Sequence, residues 1–167
     1  MARAEFARVS LRERQSIEPY LKQKPVPLGR IAQALGLQVL VSSLPAGVSG
    51  KIEKTGDNFT IRLNRNESRE RQRFTLAHEI AHFLLHKDIL QRTGEIEDTV
   101  LYRSGQPQRI EFEANRLAAD LIMPDEGIES DLRRLQTRFT EEAFDAVASE
   151  WQVSKAALEI KLGPVYS

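Results

Sequence analysis

Polar and apolar residues change rhythm several times along the chain, and each change predicts an element. Up to about residue 25, charges interrupt every apolar run in a helix-prone stretch that ends at Pro25-Val26-Pro27, where two prolines break a helix. Apolar residues at 28, 31, 32 and 35 then form one helical stripe, stopped by Gly36. Leu37 to Val41 is rich in β-formers. The run Lys51 to Lys54 and the alternating Phe59 to Leu63 flank Thr55-Gly-Asp-Asn58, which reads as a hairpin. From Ser68, an N-cap residue, to Lys87 a helical pattern runs without Gly or Pro, with apolar residues at 74, 77, 81, 84 and 85. Residues 93 to 108 hold Gly94, Gly105 and Pro107 and few apolar side chains, and read as a surface loop. A helix from Gln108 to Met123 follows, ended by Pro124, and Glu126 to Leu162 reads as two or three more. A helix, a small sheet and then helices predict an α+β fold: a helical arm and linker at 1–27, a core at 28–124, and helices at 125–167 packed on that core.

Composition narrows the chemistry. The 167 residues suffice for one domain without a disulfide, and the chain has no Cys. That excludes a thiol nucleophile, an Fe–S cluster and a cysteine zinc site, so a transition metal must be held by His and carboxylates. With 24 Lys plus Arg against 24 Asp plus Glu, the net charge is zero, and nucleic acid is not an expected partner. No signal-peptide core and no run of 18 apolar residues occurs, so a cytoplasmic protein with no membrane partner is expected.

All three histidines lie in the long helix, at 78, 82 and 86. His78-Glu79-Ile-Ala-His82 is an HExxH pattern: imidazoles at i and i+4 stand one turn apart on one face and can grip a single zinc ion, with Glu79 beside them as general base. Both histidines fall on the margin of the apolar stripe, flanking Phe74, Ala81 and Leu85, which places a metal on the floor of a cleft. His86 lies eight residues beyond His78, about 12 Å along a straight helix, too far to be the third ligand. The extended metzincin pattern needs Gly and His where this chain has Leu85 and Asp88. His86 is therefore expected as a polar helix end or a support for a ligand.

A carboxylate on the next helix is the remaining source. A helical wheel puts Ile110, Ala114, Leu117, Ala118, Leu121 and Ile122 on one face, with Glu111 and Asn115 at its edge. Glu113 falls on the opposite face with Arg109, Arg116 and Asp120. The wheel favours Glu111 as ligand, leaves Glu113 solvated near Arg109, and lets Asn115 orient a ligand by a hydrogen bond.

Together, Arg71 to His86, Glu111-Phe-Glu-Ala-Asn115, Ala118 to Pro124 and Val48-Ser-Gly50 resemble the ImmA/IrrE family of zinc metallopeptidases, over about Leu28 to Pro124. Leu117 stands where family members often have Phe. The resemblance implies a compact zincin-like, gluzincin-type fold at 28–124, one Zn²⁺ per chain on His78, His82 and Glu111, and cleavage of a partner helix-turn-helix transcriptional repressor. It also leaves room for a non-proteolytic regulatory or toxin–antitoxin-type protein that uses zinc structurally.

Three further expectations concern the rest of the chain. Tyr102, in the loop before the second ligand helix, is a candidate oxyanion donor. Phe59, Thr60, Ile61, Arg62 and Leu63 form a candidate strand for pairing with an extended substrate if they lie at a sheet edge, and merely pack on the metal helix if they are internal. Thr140 to Trp151 and Val153 to Leu162 read as helix, turn, helix. The second of these carries only Lys155 and Lys161 with Glu159 between them and has no Arg, Asn or Gln to read bases. Packing of Phe144, Val147, Trp151 and Leu158 on the domain is expected in place of DNA binding.

Overall fold

The computed structural model describes residues 4–99 and 108–164. In chain order the elements are α1 (Ala4–Ala7), α2 (Leu11–Leu21), α3 (Leu28–Ala34), β1 (Leu37–Ser42), β2 (Val48–Thr55), β3 (Asn58–Asn64), α4 (Arg69–Leu85), α5 (Lys87–Thr93), β4 (Glu95–Thr99), α6 (Gln108–Ile122), α7 (Asp125–Thr137), α8 (Glu141–Trp151) and α9 (Lys155–Leu162). The fold is α+β, as the order of patterns predicts.

The sheet runs β1-β3-β2-β4. β3 pairs in parallel with β1 and antiparallel with β2, and β2 pairs antiparallel with β4. The β2–β3 hairpin turns at Gly56, whose φ of 66° is one that L side chains rarely adopt. Alternation sorts the two faces. Ile52, Phe59, Ile61, Leu63 and Ile96 are buried with α4, while Lys51, Glu53, Arg62 and Glu95 form an ion row on the other face. Of the two positions left open for Phe59 to Leu63 the internal one is found, and one loop reading is corrected. Phe59, Thr60, Ile61, Arg62 and Leu63 are internal, because β1 and β2 occupy both hydrogen-bonding edges of β3, so this strand has no free edge to offer a substrate. The segment read as loop from 93 contains strand β4: its acidic residues are poor β-formers, but pairing with β2 overrides propensity.

Helix α4 begins where Ser68 accepts a hydrogen bond from the Arg71 N–H at 3.2 Å. It ends at Leu85, two residues before the pattern predicts, and His86 stands between α4 and α5. Leu76, Ala77, Ile80, Ala81 and Leu84 bury one flank of it, and α6 packs closely alongside, with Ala114 and Ala118 fully buried. Val9, Ile17 and Val26 of the N-terminal arm belong to the same apolar cluster, as do Ile128, Phe144, Val147, Trp151 and Leu158. Polar ties reinforce these joins. Arg73 donates to the carbonyls of Val26 and Gln152, and Asp131 accepts from Trp151 Nε1 at 2.9 Å and Lys24 Nζ at 3.0 Å. Burial of Phe144, Val147, Trp151 and Leu158 is the packing expected of the C-terminal helices. Among the described residues no helix is long and apolar enough to cross a membrane.

Candidate metal centre

Four donors from three elements converge. α4 supplies His78 and His82 one turn apart, α6 supplies Glu111 from its first turn, and β4 supplies Asp98. His78 Nε2 lies 2.9 Å from Glu111 Oε1 and 3.3 Å from Asp98 Oδ2; His82 Nε2 lies 3.2 and 3.7 Å from the same atoms. One ligand atom from each residue lies within 4.8 Å of the others, and all four residues are buried. Glu79 is fully buried, and neither of its carboxylate oxygens has a hydrogen-bond partner among the described residues; the same holds for both oxygens of Asp98.

The electrostatics are those of opposite charges buried together. Burial would lower the pKa of His78, but Asp98 and Glu111 outweigh it and raise it to about 9. Burial would raise Glu111, but His78 and His82 hold it well below the usual carboxylate range. Glu79 is pushed well above that range by burial first and then by the charges of Asp98 and Glu111. Three buried carboxylates beside two imidazoles carry a desolvation cost that a bound cation offsets, and a mixed nitrogen and oxygen donor set suits a first-row divalent metal. The group can therefore hold a metal ion.

Asp98 is the residue that reading the sequence missed. The available signal was a period of two, with Ile96 and Asp98 on one face and Glu95 and Glu97 on the other, directly after Gly94 closes α5. A β-bulge between Val48 and Gly50 turns Ser49 towards Glu67, 3.0 Å away, and leaves Gly50 opposite Asp98. Space decides the residue at 50. A Cβ there would lie 2.6 Å from Thr75 Cγ2, 2.8 Å from the Arg62 carbonyl oxygen and 3.6 Å from Glu79 Oε2. Gly50→Ala is expected to destabilise the fold by about 1–3 kcal/mol through overpacking, read by urea denaturation. An unchanged midpoint would show that β2 retreats from α4 without cost.

His86 lies outside the donor group: its Nδ1 is 2.9 Å from His82 Nδ1, and its Nε2 is 3.0 Å from Glu113 Oε1. Glu113 is buried, which corrects the wheel's solvated placement. The wheel treats α6 as covered on one side, whereas the N-terminal arm covers a second: Arg8 Nη1 is 2.6 Å from Glu113 Oε2, and Arg116 Nε is 3.0 Å from Glu5 Oε1. The Arg109 contact with Glu113 is present at 3.8 Å. Burial opposes the charge on Glu113, but His86 and Arg8 outweigh it and lower its pKa. Asn115 Oδ1 is buried with no hydrogen-bond partner among the described residues. Tyr102 lies outside the described residues. Beside the centre, Phe74 stacks on His78 with ring centroids 6.4 Å apart and opens onto a groove of about 1100 Å³ that Phe112, Asn115 and Met123 help to line.

Comparison with known proteins adds three findings. A family model described as IrrE N-terminal-like domain, Peptidase_M78, matches residues 32–163. Among solved structures, a Mycobacterium tuberculosis transcriptional regulator is similar in fold, with a TM-score of 0.55 at 14% identity; the match covers 92% of this chain and 44% of that one. Among curated proteins there is no match.

Proposed function

From its membership of the IrrE N-terminal-like family, Peptidase_M78, to which this chain belongs, we propose that the protein is a zinc-dependent, site-specific endopeptidase whose substrate is a partner helix-turn-helix transcriptional repressor. The observation that carries this reading is the convergence of His78, His82 and Glu111 on one point beside a buried Glu79 with no hydrogen-bond partner among the described residues. In this reading those three residues hold the metal. Zinc, when bound, supplies a Lewis acid for the scissile carbonyl and lowers the pKa of water towards neutrality. Glu79, fully buried beside the donor group but not part of it, is the proton carrier: as a carboxylate, one of its oxygens accepts a proton from the attacking water and returns it to the leaving amine nitrogen. The groove beside Phe74 offers room for flanking substrate residues. The repressor as substrate rests on the family resemblance alone, and this chain spans less than half of the structural neighbour that shares its fold.

The test is incubation with a helix-turn-helix repressor, should one be encoded next to this gene, followed by mass spectrometry of the products. One new pair of termini is expected with zinc, and none with a chelator. An intact repressor after incubation with zinc-loaded protein overturns this substrate assignment.

Asp98 favours a second reading. Four protein donors are what a closed, structural zinc site uses, whereas a catalytic site keeps a position open. Under that reading the protein binds its partner without cutting it, and Asp98→Ala weakens metal binding as much as Glu111→Ala does.

A further inference from the structure

The nitrogens of His78 and His82 that face the donor cluster are both Nε2, so a histidine bound to metal there carries its hydrogen on Nδ1. For His82 that hydrogen has one place to go among the described residues. His82 Nδ1 is 2.9 Å from His86 Nδ1 and both rings are buried, so His82 donates and His86 Nδ1 must be bare. A neutral imidazole with a bare Nδ1 carries its hydrogen on Nε2. His86 Nε2 is 3.0 Å from Glu113 Oε1, which accepts it, and Glu113 Oε2 accepts in turn from Arg8 Nη1 at 2.6 Å. Each link dictates the tautomer of the next, and the last anchors in the segment between α1 and α2.

We infer that His86, Glu113 and Arg8 form a positioning relay for His82, fixing its tautomer and ring orientation and so strengthening its hold on the metal, with the N-terminal arm tuning the centre through Arg8. The inference rests on the reading of His82 as a ligand. A carboxylate accepting a hydrogen from a ligating histidine is a common way to raise ligand basicity. Here a second imidazole is interposed, and it carries the influence of Glu113 from a part of α6 that does not reach the donors. The relay gives the third histidine, the second glutamate of α6 and the arm a shared role.

Zinc affinity, measured by competition with a chromophoric chelator, needs no substrate and reads the relay directly. His86→Leu keeps approximate bulk but removes the acceptor, and is expected to weaken zinc binding by about 10- to 100-fold. His86→Gln, whose amide can accept from His82 and donate to Glu113, is expected to restore most of that loss. Equal affinity in wild type and His86→Leu, or equal weakening in both variants, overturns the relay. Imidazole ¹⁵N NMR of the zinc-loaded wild type tests it without mutation: His82 is expected as the Nδ1–H tautomer and His86 as the Nε2–H tautomer, and a hydrogen on His86 Nδ1 overturns it. If His82→Ala binds zinc as tightly as wild type, the ligand assignment fails and the relay fails with it. If His82→Ala loses zinc while the His86 variants do not, the relay alone fails.

Discussion

Glu79→Gln is expected to abolish peptide cleavage, by about 10²- to 10⁴-fold, while leaving metal content unchanged. The amide has the shape of the carboxylate but cannot take a proton from water, and Glu79 is not among the four residues whose donor atoms converge. The variant should also be more stable than wild type. A fully buried carboxylate beside Asp98 and Glu111, with neither oxygen hydrogen-bonded among the described residues, costs stability in the folded state, and a neutral amide removes the repulsion. Cleavage rate, zinc content and melting temperature measured on one preparation test the two halves together. Full cleavage by Glu79→Gln would place the general base elsewhere; an unchanged or lower melting temperature would mean that Glu79 is not strained by its surroundings.

Loss of the metal is the second large effect. Wild type is expected to bind about one zinc per chain, and zinc at about 100 times its Kd should add about 2.7 kcal/mol to stability. His78→Ala and His82→Ala should gain nothing from added zinc, because a site reduced to one imidazole and carboxylates is poor for this ion. Among the acids, distance ranks the losses. Glu111 Oε1 lies 2.9 and 3.2 Å from the two Nε2 atoms and Asp98 Oδ2 lies 3.3 and 3.7 Å from them, so Glu111→Ala should cost more affinity than Asp98→Ala. Glu113→Ala should cost less than Glu111→Ala, since Glu113 reaches the centre only through His86. Metal content by mass spectrometry and thermal shift against zinc concentration give the ranking. A larger loss from Asp98→Ala than from Glu111→Ala would make β4 the source of the principal carboxylate ligand.

What local patterning alone determined was most of the helices, the β2–β3 hairpin and the histidine half of the centre. The Ser68 cap, the apolar spacing of α4 and α6, the Gly56 turn and the i, i+4 histidines each depend on residues within one or two turns of each other, and local spacing reports such relations directly. Glu111 was legible for the same reason, lying at the edge of the apolar face by which α6 packs on α4. Tertiary structure decided the rest. β3 is internal because β1 pairs on the side that β2 leaves open, and periodicity carries no such information. β4 forms despite acidic residues because β2 supplies its hydrogen bonds, and only that pairing and its bulge carry Asp98 to the histidines. Glu113 is polar by its wheel position yet buried, because the N-terminal arm returns more than a hundred residues along the sequence to cover α6 and brings Arg8 to it. A helical wheel describes one helix and one covering face; a second cover is a long-range event, and it joins Glu113 to His86 and through it to His82.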